Sequence, residues 1–145
     1  MRQSLSACLF SLAAAWFSVS FSPAHAADDS LYRAFGQKPG ITALMNDFAV
    51  RLKADARIGH FFKDTKPSAL AEQLTDQVCQ VSGGPCTYEG APMDKSHRDL
   101  EIGRADFNRL VEVLQDTMND RGIAFGDQNR LLALLAPMHR QIVTR

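Results

Sequence analysis

The chain has 145 residues, of which 46% are hydrophobic, and its 16 basic residues are balanced by 16 acidic ones. A formal net charge of zero, without a run of lysines or arginines, gives no electrostatic basis for binding nucleic acid. Ordinary composition without internal repeats or low-complexity tracts argues against a repeat array or a disordered chain. We therefore expect one small domain with a single core.

The N-terminal segment predicts an export signal. Arg2 precedes an apolar run over residues 7–21, and this run is too short for comfortable membrane spanning. Pro23 is then followed by the small residues Ala24 and Ala26 at the cleavage positions. An uncleaved membrane anchor is the alternative, and the shortness of the run disfavours it.

A lipoprotein signal at Cys8 is excluded because almost no apolar run precedes that cysteine. We expect residues 1–26 to be removed and a domain of residues 27–145 to remain, with 15 basic and 16 acidic residues. The product would carry no stable membrane anchor, and its location would be periplasmic in a bacterium with two membranes.

Apolar residues recur with helical spacing through almost all of the expected domain. The four stripes are Ile41, Leu44, Met45, Phe48 and Leu52; Leu70, Leu74, Val78 and Val81; Phe107, Leu110, Val111, Leu114 and Met118; and Leu131, Leu132, Leu135, Met138 and Ile142. No segment alternates with the period of two that is typical of a strand. The predicted fold class is all-α, with about four substantial helices.

Glycine and proline indicate the ends of these helices. The first helix is expected to follow the turn at residues 36–40, and Pro67 suits the first turn of the second. Gly122 should end the third helix, and Pro137 should bend or break the fourth. A long irregular connection, residues 82–103, remains between the second and third helices.

His97 lies in the middle of this connection, and long structured loops often carry function. Its apolar neighbours in sequence are Met93, Leu100, Ile102 and Phe107. One imidazole without a second histidine or cysteine at chelating spacing does not complete a tetrahedral zinc site. It can be the axial ligand of haem iron, because the porphyrin supplies the other four nitrogens. A surface histidine is the alternative.

Three segments carry a family resemblance: "DFAVRLKADARIGHFF" (47–62), "SGGPCTYEGAPM" (82–93) and "MDKSHRDLEIGRADF" (93–107). Their order and spacing resemble the group I truncated haemoglobins, shortened globins with a two-over-two helical sandwich. The third segment matches that family's M-x-x-x-H-x-x-x-x-I-x-x-x-x-F signature. The resemblance extends over residues 30–143 and implies a non-covalent b-type haem with His97 as the proximal iron ligand.

The resemblance also implies a set of apolar residues that line or approach the haem. They are Phe48, Phe61, Phe62, Leu70, Leu74, Val78, Met93, Ile102, Phe107, Leu110 and Leu135. Ordinary core packing is the alternative for each of them, and for Phe48 and Leu135 the sequence does not separate the two.

The chain departs from the family pattern in the expected distal pocket. Many relatives place a tyrosine directly after the B-helix phenylalanine, where this chain has Ala49. Many also carry a glutamine at the E-helix position occupied here by Leu74. Both residues give bound oxygen a hydrogen bond in those relatives, so we expect faster oxygen loss or easier autoxidation here.

Two glutamines and two histidines complete the expected surroundings. Gln73 and Gln77 are both candidates for the distal pocket; the solvent edge of the helix is favoured for Gln73, whereas for Gln77 the solvent edge and the distal pocket are equally open. His60 is expected at the surface or at the propionate edge of the haem, and His139 is expected at the surface.

Cys79 and Cys86 are the only cysteines of the expected mature chain. Export would place them in an oxidising compartment, so we expect a structural disulfide between them. Two free or redox-active thiols are the alternative. Their spacing is neither a thioredoxin motif nor a c-type haem attachment motif.

The function expected from the resemblance is reversible binding of a diatomic gas, oxygen or nitric oxide, in the periplasm. Nitric oxide detoxification by a dioxygenase-like reaction, electron transfer and peroxidase-like chemistry are alternatives, and these would need a reductase or another redox partner. An exported haem carrier and a haem-free helical interaction module are the alternatives from other classes. Haem retention distinguishes these last two from a gas-binding globin.

Overall fold

The computed structural model describes residues 28–145. The expected export signal and its cleavage site lie outside these residues. The α-helices are α1 (Ser30–Ala34), α2 (Gln37–Ala54), α3 (Pro67–Val81), α4 (Met93–His97), α5 (Arg104–Asp120), α6 (Phe125–Leu135) and α7 (His139–Ile142). Short 3-10 helices span Gly59–Phe62 and Ala136–Met138. Residues 28–145 contain no strand, which confirms the all-α class.

Two helix pairs make up the fold. Helix α2 packs along α3, α5 packs against α6, and the pairs meet where α2 contacts α5 and α3 contacts α6. The short α1 packs on α2 and α6, and α4 packs on α7. Leu44, Met45, Leu52, Met118 and Leu131 are completely or almost completely buried between the pairs. This arrangement agrees with the predicted two-over-two sandwich.

The start of α2 was predicted too late. The helix begins at Gln37, within the turn expected at residues 36–40, because Gly36 takes the left-handed conformation (φ +75°) directly before it. Pro39 then lies in the first helical turn, where a missing backbone N–H removes no intrahelical hydrogen bond. The other predicted limits are confirmed: α3 begins at Pro67, Gly122 (φ +67°) follows α5, and the 3-10 turn containing Pro137 separates α6 from α7.

The connection predicted as irregular over residues 82–103 contains the five-residue helix α4. So short a helix is unstable in isolation, because helix nucleation is costly and few hydrogen bonds offset it. Its packing on α7 therefore holds it in place. Within the described residues, every helix is too short or too polar to cross a membrane.

Asp55 fixes the turn that leads from α2 to the 3-10 helix Gly59–Phe62. Its carboxylate accepts hydrogen bonds from the backbone N–H groups of Arg57 (2.9 Å) and Ile58 (3.1 Å) and from the Arg109 guanidinium of α5 (2.9 Å). Burial alone raises the pKa of the Asp55 carboxyl, but these hydrogen bonds outweigh burial and hold the pKa below its usual value. The turn is thereby tied to α5.

Candidate functional site

His97 ends α4, and its ring is half-buried. The Nδ1 atom lies 2.8 Å from the backbone oxygen of Met93, one helical turn earlier, and 3.0 Å from Oγ of Ser96. A carbonyl oxygen can only accept a hydrogen bond, so this contact places a proton on Nδ1. In the neutral ring Nε2 then carries the free lone pair that a metal ligand requires.

In the part of the chain that the structure describes, no three histidine, cysteine, aspartate or glutamate side chains are grouped to hold a metal ion. An iron bound at His97 would therefore need its remaining ligands from outside the protein, as a porphyrin provides them.

The apolar residues expected at the haem differ in burial from an ordinary core. Phe48, Val78 and Ile102 are buried. The other eight are only half-buried: Phe61, Phe62, Leu70, Leu74, Met93, Phe107, Leu110 and Leu135. Six of these eight pack against the main hydrophobic core, Met93 and Phe107 being the exceptions. The protein thus keeps a group of large apolar side chains that its own atoms cover incompletely.

The residues of the expected distal pocket lie on α2 and α3. Ala49 of α2 is completely buried, and Leu74 of α3 is half-buried against the core. Gln73 is exposed, at the solvent edge of α3. None of these three side chains carries a hydroxyl group.

Gln77 is buried, which rules out the solvent edge as its place. Its side-chain Nε2 donates towards two methionine sulfurs, Sδ of Met138 at 3.4 Å and Sδ of Met93 at 3.9 Å. The amide therefore lies where α3, α4 and the break between α6 and α7 come together. Sequence reasoning missed Met138 as a partner, and nothing local to Met138 in the sequence indicates this contact.

The two remaining histidines take different positions. His60 is exposed, and its ring lies beside Phe61 with centroids 4.0 Å apart. His139 was expected at the surface, and this is wrong: its ring is half-buried and meets Phe107 edge-on, with centroids 4.8 Å apart. The packing of α7 on α4 draws His139 inward, a long-range contact that the sequence pattern does not reveal.

The segment that leads to α4 is bound to the end of α3. Cys79, completely buried in the last turn of α3, is joined in the structure to Cys86 by a disulfide with Cα atoms 5.7 Å apart. The backbone N–H of Tyr88 donates to the side-chain oxygen of Gln80. The loop before His97 is therefore held to α3 at successive points.

Two cavities open near this site. The larger, about 430 Å³, lies between the first 3-10 helix and the residues after His97, and it is lined by His60, Phe61, Lys63, Asp64, Asp99, Leu100, Glu101 and Arg145. Leu100 is therefore an exposed residue of this cavity. The smaller, about 200 Å³, is lined by residues of α3 together with Tyr88, Met93 and Met138. His97 lines neither cavity, and sequence reasoning identified neither of them.

The two packed helix pairs agree with the two-over-two arrangement of the truncated globins, and His97 lies half-buried on the short helix α4. The sequence profile described as "Bacterial-like globin" matches residues 30–144. The chain belongs to this family, as a group I truncated globin.

The relatives cover most of the chain. A group 1 truncated haemoglobin of Mycolicibacterium paratuberculosis is 27% identical over 79% of this chain and 85% of its own length. One from a Nostoc species is 26% identical, over 80% and 98%. The crystal structure of truncated haemoglobin from Tetrahymena pyriformis in its Fe(III) form gives a TM-score of 0.75 at 24% identity, covering 79% of this chain and 98% of that one.

Proposed function

We propose that this protein is an exported truncated globin that binds b-type haem non-covalently through His97 and reversibly binds a diatomic gas, oxygen or nitric oxide. The observation that carries the proposal is the hydrogen bond from Nδ1 of His97 to the carbonyl oxygen of Met93. It leaves Nε2 as the free nitrogen and fixes the ring on a short helix. Such second partners orient histidine ligands at metal sites in general.

The chemistry of the surrounding residues fits a haem. Its flat, apolar macrocycle would cover side chains of this half-buried apolar set, whose exposure is costly in water. When bound, haem iron supplies a coordination position for a small gas molecule. Membership of a globin family supports haem binding. That the haem is held without a covalent bond is a further part of the proposal. A similar solved structure, from a Synechococcus species, is described with covalently attached haem, so attachment needs its own test.

The side chains of the distal pocket set the expected selectivity. Ala49 is completely buried and Leu74 is half-buried, and neither side chain has a group that donates a hydrogen bond to a ligand. Gases that depend on such a hydrogen bond, oxygen above all, should leave quickly. This also disfavours the dioxygenase-like alternative, which needs a well-held oxygen molecule.

The proposed location rests on the N-terminal sequence. Arg2, the short apolar run and the small residues before Ala27 are typical of an export signal. An oxidising compartment would also preserve a bridge between Cys79 and Cys86. The test is to express the full chain in a bacterium with two membranes and to measure the mass of the protein recovered from its periplasm by mass spectrometry. We expect a mass that begins at Ala27, and an unprocessed chain in the membrane fraction would contradict export.

The function is tested by optical spectra of that mature protein in the ferric, ferrous and carbon monoxide forms. We expect a Soret band that shifts on carbon monoxide binding, and haem that is released into acidified organic solvent. No Soret band despite supplied haem would favour the haem-free interaction module. Rapid transfer of haem to apomyoglobin would favour the haem carrier.

A further inference from the structure

The methionines of the described chain fall into two classes. Met45 and Met118 are in the hydrophobic core and have 1% and 0% of their surface exposed. Met93 and Met138 are half-buried, and both line the smaller cavity, of about 200 Å³, whose mouth is open to solvent. A water molecule occupies about 30 Å³ in the liquid, so this cavity has room for a hydroperoxide beside both side chains.

Gln77 adds a polar group to this pair. It is 8% exposed, and the acceptors of its Nε2 group are the two thioether sulfurs, at 3.4 Å from Met138 and 3.9 Å from Met93. Thioether sulfur is among the weakest acceptors in proteins, so this buried amide lacks a strong partner. A sulfoxide oxygen on either methionine would supply one.

We propose that Met138 and Met93 form a methionine oxidation site, in which the side-chain amide of Gln77 donates a hydrogen bond to the new sulfoxide oxygen. The oxidant is a hydroperoxide such as hydrogen peroxide. A sulfur lone pair attacks one peroxide oxygen, the S–O bond forms and the O–O bond breaks. The departing hydroxide takes the proton from the transferred oxygen, so the sulfur is oxidised by two electrons and hydrogen peroxide is reduced to water.

Oxidation of Met93 and Met138 would change side chains next to the residues that hold His97. Met93 belongs to α4, and its backbone oxygen accepts the hydrogen bond from Nδ1 of His97. Met138 directly precedes α7, on which α4 packs. Sulfoxide formation replaces a flexible apolar side chain with a polar, chiral one. An effect on haem depends on the proposed function, but the oxidation chemistry does not.

The first test needs no variant. The mature protein is treated with hydrogen peroxide in excess cyanide, which blocks any haem iron. Samples taken at intervals are digested, and the masses of the methionine-containing peptides are measured. We expect Met138 and Met93 to gain one oxygen each before Met45 and Met118 do. Oxidation of all four methionines at one rate would overturn the proposal.

The second test isolates Gln77. Each sulfoxide epimer is reduced by its own reductase, so the two enzymes applied to the peptides give the epimer ratio. A hydrogen bond of ordinary strength favours one epimer roughly fivefold in the native protein. The ratio should fall towards one in Gln77→Leu and, at a pH where the new carboxyl is ionised and only accepts, in Gln77→Glu. It should be retained in Gln73→Leu, a change at an exposed position of the same helix. An excess that survives in both Gln77 variants would refute the role of the amide. Both experiments measure oxidation of the methionine sulfurs, so they test this proposal even if the protein proves to lack haem.

Discussion

The backbone oxygen of Met93 and the Nδ1 atom of His97 are joined by a hydrogen bond of 2.8 Å within one turn of α4. The bond orients the imidazole ring and determines which ring nitrogen is free, as the proposed role of His97 as an iron ligand requires. Since Met93 also meets Gln77 of α3, the orientation of His97 is connected to the helix on the other side of the site.

Replacing His97 with Ala should abolish the native haem spectrum, because no other described histidine has an equivalent orientation. Added imidazole should restore much of the spectrum by occupying the vacated position. His139→Ala is the matched control, since His139 packs on Phe107 and is not expected to bind iron. An unchanged Soret band in the His97 variant would remove the proximal assignment.

Leu74→Gln should slow the loss of oxygen, because it places an amide donor in the expected distal pocket. A hydrogen bond of ordinary strength corresponds to roughly a tenfold slower dissociation at most. Leu74→Met keeps a similar volume without a donor and should leave the rate nearly unchanged. Stopped-flow measurement of oxygen dissociation checks this, and equal rates in the two variants would show that Leu74 does not face the ligand.

Removing the bridge between Cys79 and Cys86 should lower the free energy of unfolding by about 2–3 kcal/mol. Cys86→Ala alone and the double variant with Cys79→Ala should lose similar amounts, since either change removes the crosslink. Denaturant titration measures the loss. The mass of the freshly isolated protein should be lower by two hydrogens, and two alkylatable thiols would show that the bridge is absent.

The ionisation of Asp55 should make the free energy of unfolding depend on pH. Its pKa in the folded protein is held below the usual 3.8, so the carboxylate stabilises the fold above that value and the stabilisation is lost as the pH falls through the folded pKa. Asp55→Asn should therefore cost about 1–3 kcal/mol near neutral pH and progressively less below pH 3.8.

The control for this pH dependence is Asp47→Asn. Asp47 pairs with Arg121 at the surface, and its side chain is 51% exposed. Exposed pairs contribute at most about 1 kcal/mol. Thermal melts of wild type and both variants at several pH values give the comparison. A stability difference between wild type and Asp55→Asn that does not change with pH would contradict the assigned role of the Asp55 carboxylate.

The helices and their ends were largely predictable because their signals are local. Apolar residues at helical spacing predict α2, α3, α5 and α6, and Pro67 and Gly122 act through the conformations of their own backbones. The two short helices α1 and α4 were not predicted. Each is held by packing on other helices, and five residues are too few to show a periodic stripe.

The sequence by itself determined the fold class and the family signature around His97, and it predicted the pairing of Cys79 with Cys86, since the expected mature chain has no other cysteine. Only the tertiary structure decided that Gln77 is buried and that its amide meets methionines 16 and 61 residues further along the chain. Helical periodicity predicts which face of a helix is buried. Which residues pack against that face depends on how helices distant in sequence come together.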